Sequence, residues 1–573
     1  MTEPELRARL QKTPKNAVLH HNLGSLLYQN GDLSGALGSF LTALILKPKN
    51  LAFAKNTLHV LGQTSGYQLP DGILHILARW AEHDEINVQD LSMVVHNQYS
   101  AAPLLGTLLN VLDASEQDRE TILASDHFDA FFQDALLLAV MTRAIVITPL
   151  LETVLTRLRR HVLEQSIEKG LSDHAMATRV DFLAALANQC FNTEYAYAVT
   201  AEEMALVDQL VQTAVEGPLK WAVLGAYRPL HEVLQSAPSY NKNQSPPIKF
   251  LLKRQWFDSH DEAGLRNQIS SLTTVSDETS KKVQQQYERY PYPRWINTSK
   301  SSAQSFDKFL QSRFPDQAPY ARAKGPIDLL IPGCGTGLQI CRLASGIAPA
   351  RITALDISYT SLAYAKRAVA ENGFRKHKIC YYHADILALD APNLESDYID
   401  CTGVLHHLGA PEQGLAILTR LLRPGGYMRL ALYSERGRQD VIKARDYIAA
   451  EGFPDSAEGV RDFRQAVLSL PPDHPVAKVA QNQDFYSISG LHDLVFNVNE
   501  NRYTPQQLKL MLERAGLIFL GFDHMDPALS GRYATAYPGD KLQRDLGNWD
   551  RFDQDNPDSF GFMYHFWCRK PVS

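Results

Sequence analysis

The sequence predicts a multidomain protein: an all-α N-terminal half followed by an α/β domain. Three observations predict it. Residues 71–235 carry apolar side chains at spacings of three and four, the period of helices packed on one face. Residues 327–337 read IDLLIPGCGTG, an apolar run closed by glycines at every second position. The length, 573 residues, is too great for one hydrophobic core.

The glycine stretch organises the α/β part. Ile327, Leu329, Leu330 and Ile331 make a buried parallel strand. Gly333, Gly335 and Gly337 follow, where the backbone turns tightly or admits a ligand. LQICRLASGIA then has helical spacing, so the unit is strand, glycine loop, helix: the opening of a nucleotide-binding sheet. A dinucleotide loop uses G-x-G-x-x-G. Here Leu338 stands where its third glycine belongs. The G-x-G-x-G form resembles motif I of the class I, Rossmann-like S-adenosylmethionine (SAM) methyltransferases. That resemblance implies SAM as cofactor, lying on Gly333, Cys334, Gly335 and Gly337.

The remaining elements follow in order. RITALDIS is a second strand ending at Asp356 and Ile357, where an acidic tip accepts from ribose hydroxyls. KICYYHADIL gives a third, closing on Asp385 and Ile386, where this class holds adenine. YIDCTGVLHHL, a fourth strand and its loop, resembles motif IV, with Asp400 inside and Gly403 and Val404 toward the cofactor. RPGGYMRLALYS adds a turn and a fifth strand. Each has a plainer reading alone: Asp356 could cap a helix and Asp385 could end a turn.

Composition narrows the class further. The net charge of −6 and the lack of a dense Lys/Arg run give no nucleic-acid footprint. Six scattered cysteines without paired spacing suit a reducing cytoplasm, and no metal site is expected. No signal peptide is read at the N-terminus, and no apolar run approaches the ~20 residues of a membrane span. The expectation is a cytoplasmic protein.

In residues 14–48, Leu23, Gly24, Leu27, Ala36, Phe40, Ala43 and Pro48 fall at tetratricopeptide-repeat positions. Pro70 stands where a second copy wants alanine, so a next repeat is degenerate. The pair is either a docking surface for a protein or a helical cap. Segments 71–82, 91–98, 131–147, 151–165, 179–191 and 202–215 read as helices of an interaction or dimerisation domain. His20, His21 and His174 read as surface or packing residues. Residues 236–250, SAPSYNKNQSPPIKF, read as a linker or loop. In VQQQYERYPYPRW (283–295), prolines impose extended backbone after a helix. Either Tyr287 and Arg294 bond the SAM carboxylate there, or the segment is a clasp fixing a linker. The expected domains are 1–70, 71–240, 241–300 (linker and YPYPRW) and 301–573.

Three pieces, NQCFNTEYAY (188–197), QYERYPYPRW (286–295) and DFYSISGLHDLVFNVNENRYT (484–504), resemble a bacterial family joining tetratricopeptide helices to a methyltransferase. MYHFWCRK (563–570) adds to the likeness. The rickettsial lysine methyltransferases acting on outer-membrane proteins are similar in these features. The resemblance implies a protein lysine as substrate, on an outer-membrane protein met before export.

Two long insertions, 435–503 and 525–560, leave from carboxyl ends of parallel strands and read as a substrate cap. The final strand, GFMYHFWC, is expected to run antiparallel, with Trp567 in the core. Methyl transfer needs an in-line nucleophile at about 3 Å, a desolvated amine and aromatic faces for cations. By position, the candidates are His406 with its neighbour His407, Tyr433, and in the cap Asp484, Phe485, Tyr486 and His492. Arg436 and Arg438 are candidates for an acidic group. The expected function is SAM-dependent methylation of a protein side chain, lysine first. The alternatives are a small-molecule methyltransferase whose helical half forms a homodimer, and a helical scaffold with an inactive methyltransferase-like domain.

Overall fold

The computed structural model describes residues 1–573 except 65, 84, 101, 116–121, 123, 299–301, 321–324, 375–376, 524 and 573. The chain forms two compact units. One comprises Met1–His260, Ser456–Ser469 and Asn482–Ile488; the other Asp261–Asp455, Leu470–Gln481 and Ser489–Ser573.

The first unit is built of helices. Ala17–Gln29 and Leu33–Leu46 pack as a pair, capped by the Asn16 and Asp32 side chains. Gly24 is small because a Cβ there would stand 2.8 Å from the Phe40 ring, and Ala36 and Ala43 are fully buried. His21 packs between Phe40 and Phe53, as a packing residue. Pro70 begins the helix Asp71–Ala81.

Two stretches differ from expectation. Residues 131–147 are not one helix: Asp129–Phe132 ends and Ala135–Arg143 begins anew, because Asp134 accepts from the N–H groups of Leu136 and Leu137. Residues 144–147 then leave the helix, and Val146 N–H donates to Gln189 Oε1. The expected linker 236–250 is a loop only in its first part. Pro246–Leu252 is a helix with proline at its tolerated first position, burying Ile248, Leu251 and Leu252. Its Pro247 carbonyl accepts from Asn188 Nδ2.

Part of the expected cap also belongs to this unit. The helix Ala457–Ser469 buries Val460, Phe463 and Val467, and Ile488 N–H donates to the Thr193 carbonyl.

Among the described residues, the second unit is built on a nine-stranded sheet. Its strands are β1 (Ser270–Ser271), β2 (Ile327–Pro332), β3 (Ala350–Asp356), β4 (Lys378–His383), β5 (Ser396–Thr402), β6 (Leu422–Ser434), β7 (Arg502–Tyr503), β8 (Ile518–Phe522) and β9 (Met563–Arg569). The order is β1-β4-β3-β2-β5-β6-β9-β8, with β7 beside the end of β6. β9 is antiparallel to both neighbours, as expected. The two-residue strands β1 and β7 carry no periodic pattern in sequence.

Strand periodicity divides the core into two layers. Leu329, Ile331, Tyr427 and Trp567 face one layer of helices, with Ile340 and Leu362. Leu330, Met428, Leu430 and Phe566 face the other, with Leu418 and Leu508. Trp567 is therefore core. Residues 525–560 form the helices Pro527–Ala536 and Leu546–Asp555, joined by a Tyr533–Trp549 stack at 3.6 Å. Among the described residues, no helix is long and apolar enough to cross a membrane.

Candidate active site

The glycine loop leaves β2 at the carboxyl edge of the sheet, where such folds bind ligands. Gly333, Gly335 and Gly337 all have left-handed backbone, at φ +70, +50 and +89. Space is closed as well. A Cβ on Gly333 would stand 2.3 Å from Val404 Cγ2, and one on Gly335 2.9 Å from the Tyr292 carbonyl oxygen. Cys334 N–H donates to the Leu355 carbonyl, and burial pushes its thiol up.

Asp356, at the tip of β3, is tied to this loop. Its carboxylate accepts from Gly335 N–H at 2.7 Å and Ser358 N–H at 2.9 Å. Burial pushes its pKa up to about 6 against those hydrogen bonds, and nearby Glu288 adds to the rise.

The helix Glu278–Arg289 and the segment after it lie along both loops. Gln284 Nε2 donates to the Ile357 carbonyl, and Ser358 Oγ to that of Tyr287. The Glu288 carboxylate accepts from Tyr359 and Thr360 N–H at the start of the helix Tyr359–Val369, where a negative charge suits the helix dipole. Thr336 Oγ1 donates to the Pro293 carbonyl, and Trp295 Nε1 to that of Thr336. The YPYPRW segment thus clasps the glycine loop, with Arg294 half-buried in it. The Tyr287 hydroxyl is directed elsewhere, donating to Asp493 Oδ1 at 2.7 Å.

Asp385 follows β4; its carboxylate caps Leu387 N–H and its own N–H donates to Thr273 Oγ1. Ile386 is buried beside it. Gly403, at φ +75, ends β5, and its N–H reaches the Ala431 carbonyl. Val404 follows against Gly333. Asp400 within β5 is a packing carboxylate, accepting from Tyr398 OH, Thr402 Oγ1 and Gln339 Nε2 beside Arg429.

His406 and Tyr433 come together at the ends of β5 and β6, their rings stacked at 3.7 Å. Arg438 lies 3.6 Å from the centre of the Tyr433 ring, and His407 meets His406 edge-on. Burial above all holds both histidines below the ordinary imidazole range.

Asp484 and Tyr486 belong to the helical unit. Tyr486 is buried there beside Arg464, and burial pushes its hydroxyl up to about 12. His492 packs against Tyr290, the rings tilted by 32°, and meets Asp455 Oδ1 at 2.7 Å. Arg436 and Arg438 are not open to an external acid: Arg436 pairs with Asp550 and Asp553, and Arg438 with Glu500.

Within the quoted stretch 484–504, sequence reasoning singled out no residue of 493–501. Asp493 and Asn497 meet the Tyr287 hydroxyl; Asn499 and Asn501 donate to carbonyls of the His406 loop. The alternation N-V-N-E-N was its available signal.

Residues 330–430 match a family described as methyltransferase domain. The matched stretch runs from β2 into β6 of the sheet unit. An uncharacterized protein of Synechococcus sp. is 29% identical over 273 residues, 46% of this chain and 64% of that one. An uncharacterized methyltransferase of Mycobacterium tuberculosis is 33% identical over 101 residues, 18% of this chain and 48% of that one. The chain thus spans less than two thirds of the length of these relatives. PKMT2 from Rickettsia typhi, solved in complex with AdoHcy, aligns over 49% of this chain and 55% of its own at 16% identity, with a TM-score of 0.36.

Proposed function

We propose that this chain is a methyltransferase that uses S-adenosylmethionine to methylate a protein side chain, lysine first. The observation that carries the cofactor is the Asp356 carboxylate bonded to the Gly335 amide. It joins the two loops that would flank an adenosine, and carboxylate oxygens have lone pairs to spare for ribose hydroxyls. Gly333, Cys334, Gly335 and Gly337 would take the methionine end, with Arg294 near it; Ile357, Asp385, Ile386, Gly403 and Val404 would line the rest.

A nucleophile would meet the methyl group at the ends of β5 and β6. His406 and Tyr433 stack there, with the Arg438 guanidinium against the Tyr433 ring. Asp493, beside Tyr287, supplies a carboxylate that favours a cationic amine over an acidic substrate. Support for a protein substrate comes from the large helical unit and from the three segments that resemble lysine methyltransferases. The substrate is read as an outer-membrane protein met in the cytoplasm.

The small-molecule reading is favoured by one observation, the burial of His406, His407 and Tyr433. The inactive-scaffold reading conflicts with the complete glycine series. The test is methyl-labelled SAM with purified protein and a cell extract including the envelope fraction. Label in discrete protein bands, released as methyl-lysine on hydrolysis, is the expected result. Label confined to small molecules would replace this reading with the small-molecule one.

A further inference from the structure

His406 and His407 are placed so that their protons are not independent. Their Nε2 atoms are 3.1 Å apart. At the outer end, His407 Nδ1 lies 2.8 Å from the Asn499 carbonyl oxygen. A carbonyl only accepts, so this nitrogen carries hydrogen. Neutral imidazole has one N–H; His407 Nε2 is therefore bare and accepts from His406 Nε2–H. That leaves His406 Nδ1 as a bare buried nitrogen with no hydrogen bond. The Ala431 carbonyl is the neighbour that favours protonation of this ring.

The two-ring chain thus has a carbonyl toward each end but, when neutral, an outward N–H at one end only. One further proton supplies the other. A second would set two N–H groups against each other across the 3.1 Å gap. The arrangement accepts one proton and refuses two.

We infer that His406 and His407 form a single proton-accepting unit, which takes at His406 Nδ1 the proton shed by the methyl acceptor. This rests on the methyltransferase reading. In the step, the acceptor's lone pair bonds to the methyl carbon and the C–S pair returns to sulfur, which becomes a neutral thioether. The proton leaving the acceptor goes to the histidine pair.

The surroundings suit a unit that rests neutral. Burial and Arg438 oppose a charge on both rings, while Asp493 and Glu500 favour one on His407. Tyr433 stacks on His406, and Tyr287 meets His407 edge-on at 6.2 Å. Asn499 and Asn501 are positioning residues. Asn499 Nδ2 donates to the carbonyls of His407 and Leu408, and Asn501 donates to that of His406 from both N–H and Nδ2.

The test is a pH titration of the full-length protein with ring-15N histidine, followed by NMR and assigned by the signals lost in H406F and H407F. We expect both rings to move in one step that takes up one proton, with hydrogen on His406 Nε2 in the neutral form. In H407F the shared step disappears and His406, without the acceptor for its Nε2–H, titrates alone at lower pH. H407Q, whose amide oxygen accepts, keeps hydrogen on His406 Nε2. Two separate steps, or a neutral His406 with hydrogen on Nδ1, would overturn the inference, and the wild-type spectrum decides this even if a variant does not fold. SAM binding measured by calorimetry on the same sample keeps the two ideas apart. Loss of binding would sink the methyltransferase reading, whereas separate steps with binding intact sink only the pair.

Discussion

Arg464 grips the Glu152 carboxylate with both terminal guanidinium nitrogens, although 312 residues separate them in sequence. Both are buried, and Arg464 Nε also donates to the Phe485 carbonyl. The helical unit is thus completed by residues that follow β6. Removing one partner of a buried pair leaves an uncompensated charge and costs about 3–5 kcal/mol. Arg464→Ala should lower the stability of the helical unit by that amount, read as an early unfolding transition in denaturant. A fragment ending at residue 260 should lack a cooperative transition for the same reason. A fragment as stable as the whole chain would mean that this ion pair is not needed for the unit to fold.

Legibility in the sequence followed the range of the interactions. β2 and its glycine loop were readable because every residue from Ile327 to Gly337 obeys a local rule. The antiparallel β9 was readable only through resemblance, since its pairing with β6 joins residues far apart. Asp134 broke a predicted helix by capping, a signal weaker than the apolar period around it. The insertion 435–503 reads as cap throughout, but Arg464 and Phe463 answer to Glu152 and a helical core that no local pattern announces. Arg438 looked like a free cation because Glu500 lies 62 positions away.

The glycine loop yields a direct test. Gly335 has φ +50, costly for any side chain by about 1–2 kcal/mol, and the Tyr292 carbonyl closes the space beside it. Gly335→Arg should weaken SAM binding by at least ~100-fold, about 2.7 kcal/mol, while the helical unit stays folded. Calorimetry and circular dichroism on the same sample check both halves. Unchanged affinity would mean that the cofactor lies elsewhere.

With Asp356 in the proposed cofactor site, cofactor binding should be sensitive to acid. The folded pKa of Asp356, about 6, lies above the ordinary value of 3.8. The folded state therefore holds this proton more tightly than the unfolded chain, so the group's contribution to stability falls as pH rises from about 4 to about 6 and is level above. In the proposed site cofactor binding should have the opposite sign, because ribose hydroxyls would donate to the ionised form. Affinity for SAM should be constant above pH 7 and fall below pH 6 by up to about tenfold per unit. Asp356→Asn should bind weakly and lose that slope. A wild-type affinity flat from pH 5 to 8 would remove Asp356 from the site.

Tyr287 separates two roles. If its hydroxyl bonded the cofactor carboxylate, Tyr287→Phe would lower SAM affinity directly. In this structure the hydroxyl donates to Asp493 and receives Asn497 Nδ2 at 3.4 Å, while Gln286 accepts from Val498 N–H. These contacts fasten the segment that carries Asn499 and Asn501 under the His406 loop. A hydrogen bond to a charged group contributes about 1.5–3 kcal/mol, so Tyr287→Phe should loosen residues 493–501 by that order. Hydrogen exchange of those amides should quicken by about 10- to 100-fold, and SAM affinity should change less than threefold. Because the loosened segment holds the histidines, turnover should fall more than binding. The reverse pattern, affinity lost and exchange unchanged, would return Tyr287 to the cofactor.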